Sequence, residues 1–480
     1  PDIVVQMQYV CTRPCEPERH LLIHQTHMVD HVIESLSLSD DHLMRLSSKM
    51  SQELVRGLHQ STNDEAEIKM LPSFVTSTPD GSENGEFLAL DLGGTNFRII
   101  LVKIQSGDSP KIQMDNQVYA ISNELMTGTG TQLFDHMVNC LWDFLVERDM
   151  MCQLLPIGFT FSFPTKNLGI KQTILVNWSK GFTATGVVGE DIGQLLNDAI
   201  NRKFKNFELK IMATVVNDTV GTLVSCAFDH HDTCMGLIVG TGTNMCYMEA
   251  QSNIELLNNH KTLEGEMCIN TEWGAFGDNS GALDEIKTSY DIDIDRNSPN
   301  VGEHIFEKMI SGMYMGELAR LIIVDLSNKG HLFQSIDSNS LFYKSGFSTA
   351  FVSQILQPHF TNEMMQEYLR GYGVTCSDED MTKLRKICES LSIRAASLCA
   401  IGVIAVARKI IEHRGQRHLV VGVDGSVYRK HPTFKSLLIN TTHRLAPELN
   451  IDFQLSTDGS GRGAALVAAV ESRIQHIVTQ

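Results

Sequence analysis

Five polar residues follow apolar runs at the points where strands are predicted to end. They are Ser162, Asn217, Asp218, Asn244 and Glu272. A buried polar side chain costs stability unless it finds a partner, so strand-end groups of this kind are candidates for binding a ligand. Together they supply two carboxylates, two amides and a hydroxyl. This set can recognise the hydroxyls of a sugar or polyol and accept a proton from one of them.

Asp218 and Lys180 each allow two interpretations. Asp218 is either a general base that takes a proton from a hydroxyl attacking a γ-phosphorus, or the N-cap of the following helix. Lys180 either neutralises charge on a transferred phosphoryl group or is an ordinary solvated lysine. Phosphoryl transfer needs mainly positioning, charge stabilisation and Mg²⁺. A base, a cation and two phosphate-binding turns would therefore be sufficient for phosphoryl transfer.

Two glycine turns are the second chemical feature. Residues 91–96 read Asp-Leu-Gly-Gly-Thr-Asn, and residues 240–244 read Gly-Thr-Gly-Thr-Asn. Glycine lets backbone amides approach a phosphate closely, and neighbouring Thr or Asn side chains add donors. Each turn alone is equally explained as a plain hairpin. The presence of both turns in one chain favours binding of two parts of a polyphosphate.

Other nucleotide motifs give a third and a fourth segment. No Gly-x-x-x-x-Gly-Lys-Ser/Thr string occurs, which excludes a P-loop. Residues 459–464, Gly-Ser-Gly-Arg-Gly-Ala, fit a dinucleotide fingerprint, but no strand follows them, so we predict a glycine turn that opens a helix. The apolar run 419–423 leads into Asp424-Gly425-Ser426 and predicts another wall of the same pocket.

The elements around these residues predict a duplicated α/β fold. Apolar residues recur at helical spacing from His31 to Leu58, where Ser39 and the acids after it can cap a helix. The order strand, glycine turn, strand occurs around 87–104 and again around 237–248. Helical patterns cover 133–145, 192–204 and 314–326. We therefore expect one copy in each of two lobes that face a single cleft.

Composition agrees with a folded protein of two lobes. The chain has 480 residues, of which 42% are hydrophobic and 20% charged. Its net charge of −18 disfavours binding of nucleic acid through phosphates. The 11 cysteines form no CxxC pair and predict free thiols in a reducing compartment. Cys11 and Cys15 are a weaker candidate for metal or redox chemistry, because no second pair with zinc spacing follows.

No segment is predicted to span a membrane. The longest uncharged stretch, 395–407, has 13 residues, and a spanning helix needs about 17–25. We predict a buried core helix there. The first ten residues lack the basic flank and long apolar run of a signal peptide. A cytoplasmic location is the resulting expectation.

Seven strings carry a resemblance to the eukaryotic hexokinases, including glucokinase, from about His31 to the end of the chain. They are LDLGGTNFR at 90–98, GFTFSFP at 158–164, VVNDTVGT at 215–222, GLIVGTGTN at 236–244, INTEWGAFGD at 269–278, GVDGSVY at 422–428 and DGSGRGAA at 458–465. The resemblance implies a two-lobed actin-like ATPase fold, a duplicated ribonuclease H-like fold with a cleft between a small and a large domain. It also implies ATP-dependent phosphorylation of the 6-hydroxyl of a hexose, the first step of glycolysis.

The resemblance also implies roles for individual residues. Asp218 would be the catalytic base, and Lys180 would meet both the sugar and the phosphoryl group. The sugar-contacting residues would be Ser162, Ser179, Lys180, Asn217, Asp218, Asn244, Glu272 and Glu307. The first phosphate loop would comprise Asp91, Gly93, Gly94, Thr95, Asn96 and Arg98, and the second Gly240, Thr241 and Gly242. The adenosine side would comprise Asp424, Gly425, Ser426, Gly459, Ser460 and Gly461, with Thr349 and Ser353 as weaker candidates. Mg²⁺ would be held mainly by ATP phosphates and water rather than by protein ligands.

Four positions depart from the usual family pattern. Ser179 stands where the family has Thr, which keeps the hydroxyl but loses a methyl that helps to fix the rotamer. Lys171 replaces a small polar residue, Val301 replaces Pro, and Thr457 replaces Glu. None of these removes an essential group, but they leave sugar affinity and inhibition by glucose 6-phosphate as open questions.

The predicted boundaries follow from the same strings. They are an N-terminal extension (1–28), a helical segment that packs on the large domain (29–76), the small domain (77–216), the large domain (217–456) and a C-terminal helix that returns to the small domain (457–480). A monomer is expected. Two rivals remain: a catalytically weak glucose-binding regulator with the same fold, and an actin-like assembly protein. The second would lack the Asn217, Glu272 and Glu307 set.

Overall fold

The structure is a computed structural model of the chain. It describes residues 28–93, 96–107, 111–151, 155–169, 172–178, 181–204, 215–257, 264–333, 335–336, 346–371 and 373–479. Cys11 and Cys15 lie outside these ranges. The eight cysteines within these ranges are free thiols: Cys140, Cys226, Cys234, Cys246, Cys268, Cys376, Cys388 and Cys399.

The strands form two large sheets and two small ones. In chain order they are β1 (Leu71–Pro72), β2 (Gly85–Leu92), β3 (Asn96–Gln105), β4 (Lys111–Ala120), β5 (Ile157–Phe161), β6 (Thr165–Gly169), β7 (Gln172–Leu175), β8 (Val215–Val216), β9 (Thr233–Val239), β10 (Thr243–Ala250), β11 (Glu266–Asn270), β12 (Ser335–Ile336), β13 (Val374–Thr375), β14 (His418–Asp424) and β15 (Asn450–Leu455).

The two large sheets repeat one topology. The first has the order β4-β3-β2-β5-β8, and the second has β1-β11-β10-β9-β14-β15. In each, a meander of two antiparallel pairings is followed by two parallel pairings, and in the second sheet β1 adds a third antiparallel pairing, with β11. The duplicated α/β fold predicted from the glycine turns is therefore confirmed. Each turn joins two neighbouring antiparallel strands of its own sheet, β2 to β3 and β9 to β10.

The helices are α1 (28–36), α2 (Asp40–Leu58), α3 (Asn123–Thr127), α4 (Gly130–Glu147), α5 (Ile192–Lys203), α6 (Asp218–Asp229), α7 (Ser289–Asn297), α8 (Ile305–Ile310), α9 (Gly312–Asn328), α10 (Thr349–Ile355), α11 (Asn362–Arg370), α12 (Asp378–Arg414), α13 (Ser426–Lys430), α14 (Phe434–Leu445) and α15 (Gly461–Thr479). The predicted helix 31–58 is divided at 37–39. Its second part begins after Ser39, whose hydroxyl accepts a hydrogen bond from the backbone N–H of His42.

Helix α12 is the centre of the larger core. All residues of its uncharged stretch 395–407 are buried, as predicted. Within the described residues it is the one helix long and apolar enough to cross a membrane by length and composition, and 89% of its most apolar stretch lies inside the protein. It packs against α2, α9 and α14, so that the N-terminal helices share the core of the second sheet.

Helices α6 and α15 lie between the two sheets. Helix α15 packs on β2, β3 and β5 of the first sheet and also on α6, which packs on β9 of the second. Close backbone contact depends on glycine here: a Cβ on Gly158 would lie 2.0 Å from the carbonyl oxygen of Ala464. The sheets therefore meet through these two helices. The domain boundaries given above remain a proposal.

Candidate active site

The parallel strands of the first sheet bring three site segments to one edge. Leu92 pairs with Phe161, and Thr160 pairs with Val216. The carboxyl ends of β2, β5 and β8 therefore lie side by side, which is where open α/β sheets place their ligands. The residues that follow are Gly93, Ser162, Asn217 and Asp218. Ser162 is half-buried, and its N–H donates to the carbonyl of Leu92.

Asn217, not Asp218, caps helix α6. The side-chain oxygen of Asn217 accepts hydrogen bonds from the backbone N–H (2.9 Å) and the hydroxyl (2.6 Å) of Thr219. The interpretation of Asp218 as the N-cap is therefore wrong. Asp218 occupies the first helical position and is half-buried. Its carboxylate lies close enough to Glu307 to raise the pKa of that group.

Glu272 is held by two amides. Its Oε1 accepts hydrogen bonds from Nδ2 of Asn270 (2.6 Å) and Nδ2 of Asn244 (3.1 Å), while Asn244 also donates to Oδ1 of Asn270 (2.8 Å). Glu272 has a left-handed backbone with φ of 55°, and it precedes the 3₁₀ turn Trp273–Ala275. Loss of hydration raises the pKa of Glu272 despite the amide donors. Three polar side chains from β10, β11 and the turn thus form one network.

Glu307 lies near Glu272 and accepts a hydrogen bond from the second glycine turn. Its Oε2 accepts a hydrogen bond from the backbone N–H of Thr243 at 2.9 Å. A Cβ on Gly242 would lie 2.5 Å from the same oxygen, so glycine is needed for this approach. Loss of hydration raises the pKa of Glu307, and the charge of Asp218 adds to the effect, whereas His304 opposes it. The carboxylates of Asp218 and Glu307 therefore share one region of the cleft.

Helix α9 holds the second glycine turn through two carbonyl groups of the turn. The carbonyl of Gly240 accepts from the N–H of Gly312 at 2.8 Å, and that of Thr241 accepts from Met313 at 3.1 Å. Thr241 is exposed and Gly242 half-buried. A phosphate could approach the N–H groups of such a turn.

The first glycine turn is described only in part. Gly94 and Thr95, together with Ser179 and Lys180 of the predicted sugar loop, lie outside the described residues. Gly93 is half-buried, and Asn96 is exposed at the start of β3.

Asp91 and Arg98 flank the first turn and connect it to the C-terminal glycine segment. Arg98 makes two hydrogen bonds to Asp458, contacts Asp91 at 3.1 Å and reaches the hydroxyl of Ser460 at 3.2 Å. Ser460 also donates to Asp91 at 3.0 Å. Burial raises the pKa of Asp91, and the charge of Arg98 opposes that rise.

The predicted adenosine side is organised by Asp424. Its Oδ1 accepts from the N–H of Gly425 (2.5 Å) and from Nε of Arg429 (2.7 Å), and its Oδ2 accepts from the N–H of Gly459 (3.3 Å). The carboxylate of Asp424 thus hydrogen-bonds to both glycine segments, at Gly425 and at Gly459. Gly425 has a φ of 115°, and a Cβ there would lie 2.3 Å from the carbonyl of Val239. Gly461 is the first residue of α15, which confirms a glycine turn opening a helix.

A cavity of about 480 Å³ lies between α10 and α13. It is lined by Ala350, Ser353, Gln354, Gln357, Ser426, Val427 and Lys430. Two predicted adenosine residues, Ser353 and Ser426, are in this lining. Thr349 is not: its hydroxyl donates to Gly312 (2.6 Å) and accepts from the N–H of Gly316 (2.8 Å), which fastens α10 to α9.

No group of three or more His, Cys, Asp or Glu side chains in the described part of the chain is placed to hold a metal ion. Asp91 is in β2, immediately before the first glycine turn, which is the predicted phosphate site. This donor set is compatible with an Mg²⁺ ion that keeps phosphate and water ligands.

Three residues of the site were missed by the sequence analysis. Asn270 hydrogen-bonds to both Asn244 and Glu272. Its position as the last residue of an apolar strand could have identified it as a site residue. His304 has a left-handed backbone with φ of 58°, and its charge opposes the rise in pKa of both Glu272 and Glu307. Asp278 accepts from the N–H groups of His304 (2.9 Å) and Ile305 (2.8 Å). Nothing in their spacing pointed to these last two.

Two sheets of matching topology, with glycine turns and strand-end carboxylates around one cleft, define a two-lobed α/β protein of the actin-like ATPase class. Two family models, both described as hexokinase, match residues 28–228 and 234–470. The solved hexokinase from Schistosoma mansoni complexed with glucose superposes with a TM-score of 0.82 at 38% identity, covering 94% of this chain and 99% of that one. The chain belongs to the hexokinase family.

Curated relatives agree with this assignment. Hexokinase-1 of Pongo abelii is 46% identical over 456 residues, covering 95% of this chain and 49% of its own length. Human hexokinase-2 is 46% identical over 460 residues, covering 95% of this chain and 50% of its own length. The chain therefore spans about half the length of the curated relatives that it matches.

Proposed function

We propose that this chain is an ATP-dependent hexokinase that phosphorylates the 6-hydroxyl of glucose and related hexoses. One observation carries the proposal: Glu272, Glu307 and Asp218 converge on a cleft beside the second glycine turn. Carboxylates and amides in this number suit a ligand with many hydroxyls, and glycine turns suit a polyphosphate. The glucose named with the Schistosoma mansoni hexokinase supports the choice of sugar.

Sugar recognition is assigned to the amide and carboxylate network. Glu272 and Glu307 accept hydrogen bonds from sugar hydroxyls, and the hydrogen bonds that already hold them fix their positions before sugar arrives. Asn217 uses its side-chain oxygen for the α6 cap, so its amide nitrogen is the atom that serves the sugar. Family resemblance adds Ser162, Ser179, Asn244 and Lys180 to this group.

Asp218 is assigned as the general base. It takes the proton of the 6-hydroxyl while that oxygen forms a bond to the γ-phosphorus. The bond from the γ-phosphorus to its bridging oxygen breaks, and ADP leaves with the electron pair. Lys180 would neutralise charge on the transferred group. Closure of the lobes on sugar would exclude water and so suppress hydrolysis of ATP.

Nucleotide binding is assigned to three glycine segments. The first, Asp91, Gly93, Gly94, Thr95, Asn96 and Arg98, and the second, Gly240, Thr241 and Gly242, would hold the phosphates. Asp424, Gly425, Ser426, Gly459, Ser460 and Gly461 would face the adenosine with Ser353, while Thr349 would act only by fastening α10. Mg²⁺ bound to the nucleotide would neutralise phosphate charge.

The test is glucose-dependent formation of ADP by the purified chain and by Asp218→Ala. We expect the variant to lose roughly 10²–10⁴-fold in kcat and to keep its glucose affinity. Asp198→Ala, which removes an exposed acid of α5, is the control. If the wild type binds glucose but turns over no faster than Asp218→Ala, the chain is the glucose-binding regulator instead.

The family resemblance also bears on the location, the assembly state and the inhibition of the enzyme. We infer that it catalyses the first step of glycolysis in the cytoplasm, acts as a monomer and is open to inhibition by glucose 6-phosphate. These inferences rest on family resemblance and composition. Size-exclusion chromatography with light scattering tests the monomer, and initial rates with added glucose 6-phosphate test the inhibition.

A further inference from the structure

Glu67 lies on the segment that connects α2 to β1, far in sequence from every motif of the site. It is buried, and its carboxylate accepts four hydrogen bonds from one loop. The donors are the backbone N–H groups of Gly277 (2.7 Å), Asn279 (2.5 Å) and Ser280 (2.5 Å) and the hydroxyl of Ser280 (2.9 Å). This carboxylate therefore fixes the backbone of the loop 277–280.

The loop 277–280 is connected to both segments that carry the carboxylates assigned to the sugar. Its first residue, Gly277, lies five residues beyond Glu272 and follows Phe276, the C-cap of the turn Trp273–Ala275. Its residue Asp278 accepts the N–H groups of His304 and Ile305, which begin helix α8. That helix carries Glu307, which in turn accepts the N–H of Thr243. A displacement of this loop would therefore move Glu272 and Glu307 together.

The segment that connects α2 to β1, here called the connector, is hydrogen-bonded to its surroundings at Glu67 and again at Met70. The backbone N–H of Glu67 donates to Oε2 of Glu53 in α2 at 3.1 Å. Further on, the N–H of Met70 donates to the carbonyl of Thr271 at 3.1 Å, and β1 pairs with the end of β11. The connector thus runs beside the strand that delivers Asn270 and Glu272 to the site.

We propose that Glu67 is a positioning residue for the sugar site, acting through the loop 277–280 on Glu272 and Glu307. The inference rests on the proposed function, because it assigns those two carboxylates to the sugar. Four donors converge on the Glu67 carboxylate, so an amide in its place would turn an N–H group toward other donors. A sugar site depends on placement of its groups within a fraction of an ångström, so a small shift of the loop lowers affinity.

A matched control is available in Glu83. It is also buried, accepts the N–H groups of Asp80 (3.3 Å) and Gly81 (3.0 Å), and pairs with Arg473. It makes these contacts away from the sugar carboxylates. Glu83→Gln therefore reports the cost of neutralising a buried, hydrogen-bonded glutamate without loosening the loop 277–280.

The experiment compares Glu67→Gln, Ser280→Ala and Glu83→Gln with wild type. Glucose affinity is read from tryptophan fluorescence, since buried Trp273 adjoins Glu272, and KM values for glucose and ATP are measured separately. We expect Glu67→Gln to raise both the Kd and the KM for glucose by roughly 10-fold or more. We also expect unchanged KM for ATP, kcat within about threefold and a smaller change in Ser280→Ala. Glu83→Gln should lower the melting temperature but leave glucose affinity within about twofold.

Three results would overturn the proposal. They are a folded Glu67→Gln with wild-type glucose affinity, an equal loss of affinity in Glu83→Gln, and a rise in the KM for ATP as large as that for glucose. If Glu67→Gln does not fold, Ser280→Ala decides, and wild-type glucose affinity in that variant refutes the role. Fluorescence keeps this test separate from turnover: a chain that binds glucose without phosphorylating it refutes only the proposed function. A wild type that binds no glucose refutes both.

Discussion

Arg98 and Asp458 lie 360 residues apart and form a two-point ion pair, with Nη1 to Oδ2 at 2.9 Å and Nη2 to Oδ1 at 2.6 Å. Arg98 belongs to β3 of the first sheet, whereas Asp458 follows the last strand of the second. Asp458 has a left-handed backbone with φ of 49°. The pair therefore joins the flank of the first glycine turn to the glycine segment that opens α15.

Loss of this ion pair should weaken nucleotide binding selectively. Asp458→Asn keeps the size of the side chain but removes the charge that holds Arg98. We expect the KM for ATP to rise roughly 10-fold, because a charge-assisted hydrogen bond contributes about 1.5–3 kcal/mol. The KM for glucose should stay within about twofold of wild type. Asp452→Asn, an exposed acid on β15, is the control. Equal changes in both KM values would show that the pair only stabilises the fold.

Glucose affinity should depend on pH through Glu272 and Glu307. Loss of hydration raises the pKa of both groups, so each takes up a proton at a higher pH than an ordinary glutamate. The ionised forms accept sugar hydroxyls, so the KM for glucose should rise as the pH falls toward these raised pKa values and recover as the pH rises. Because the pKa of each group is higher in the folded than in the unfolded chain, ionisation of these groups lowers the free energy of unfolding. This loss of stability is absent below the ordinary pKa of glutamate and is complete above the raised pKa.

Initial rates with varied glucose, from about pH 8 down to about pH 4.5, measure this effect. Glu307→Gln should flatten the profile, because one of the two titrating groups is gone. The KM for ATP provides the internal comparison. A KM for glucose that stays constant until the ordinary range of glutamate would contradict the prediction.

Asn270 should contribute as much to the sugar site as the residues found in the sequence. Its amide donates to Glu272 at 2.6 Å, and Asn270→Ala leaves that carboxylate with one donor fewer. We expect the KM for glucose to rise roughly 10-fold, since a hydrogen bond to a charged group is lost. The control is Asn253→Ala, because Asn253 makes the same kind of bond to buried Glu249 at 2.8 Å, away from the cleft. A similar loss in both variants would point to general destabilisation.

His431 should make the fold sensitive to acid. Burial lowers its pKa to about 4, while its Nδ1 accepts the N–H groups of Thr433 and Phe434 and its Nε2 bonds to the hydroxyl of Ser392. Protonation would destroy the acceptor at Nδ1. An unfolded histidine binds its proton near pH 6.5, so stability is lost as the pH falls from there through the lowered pKa.

Urea unfolding at about pH 7 and about pH 5 measures this contribution, which should be ~2 kcal/mol between the two conditions. His431→Asn keeps an acceptor without titrating in this range and should lose that part of the pH dependence. His443→Gln serves as the control, since the ring of His443 hydrogen-bonds to the carbonyl of Ile451 at 3.2 Å. Equal pH dependence in wild type and His431→Asn would refute the assignment.

The sequence predicted the elements because their patterns are local. Apolar runs and glycine turns marked β2, β3, β9 and β10 within a few residues, and the recurrence of one pattern indicated the duplicated fold that both sheets show. Strand-end polar residues pointed to the cleft for the same reason, since side-chain chemistry and strand ends are both visible along the chain.

Tertiary structure alone decided which groups hold one another. No spacing showed that Asn217 caps α6, that Thr349 fastens two helices or that Asp458 pairs with Arg98. The buried carboxylate of Glu67 binds a loop 210 residues away. The sequence around Glu67 looks like that of any polar connecting segment. Hydrogen bonds of this kind depend on distances of a few ångströms between segments remote in sequence. The sequence by itself therefore determined the family, the fold and the chemical groups, while packing of the two sheets decided their hydrogen-bond partners and the direction in which burial shifts their pKa values.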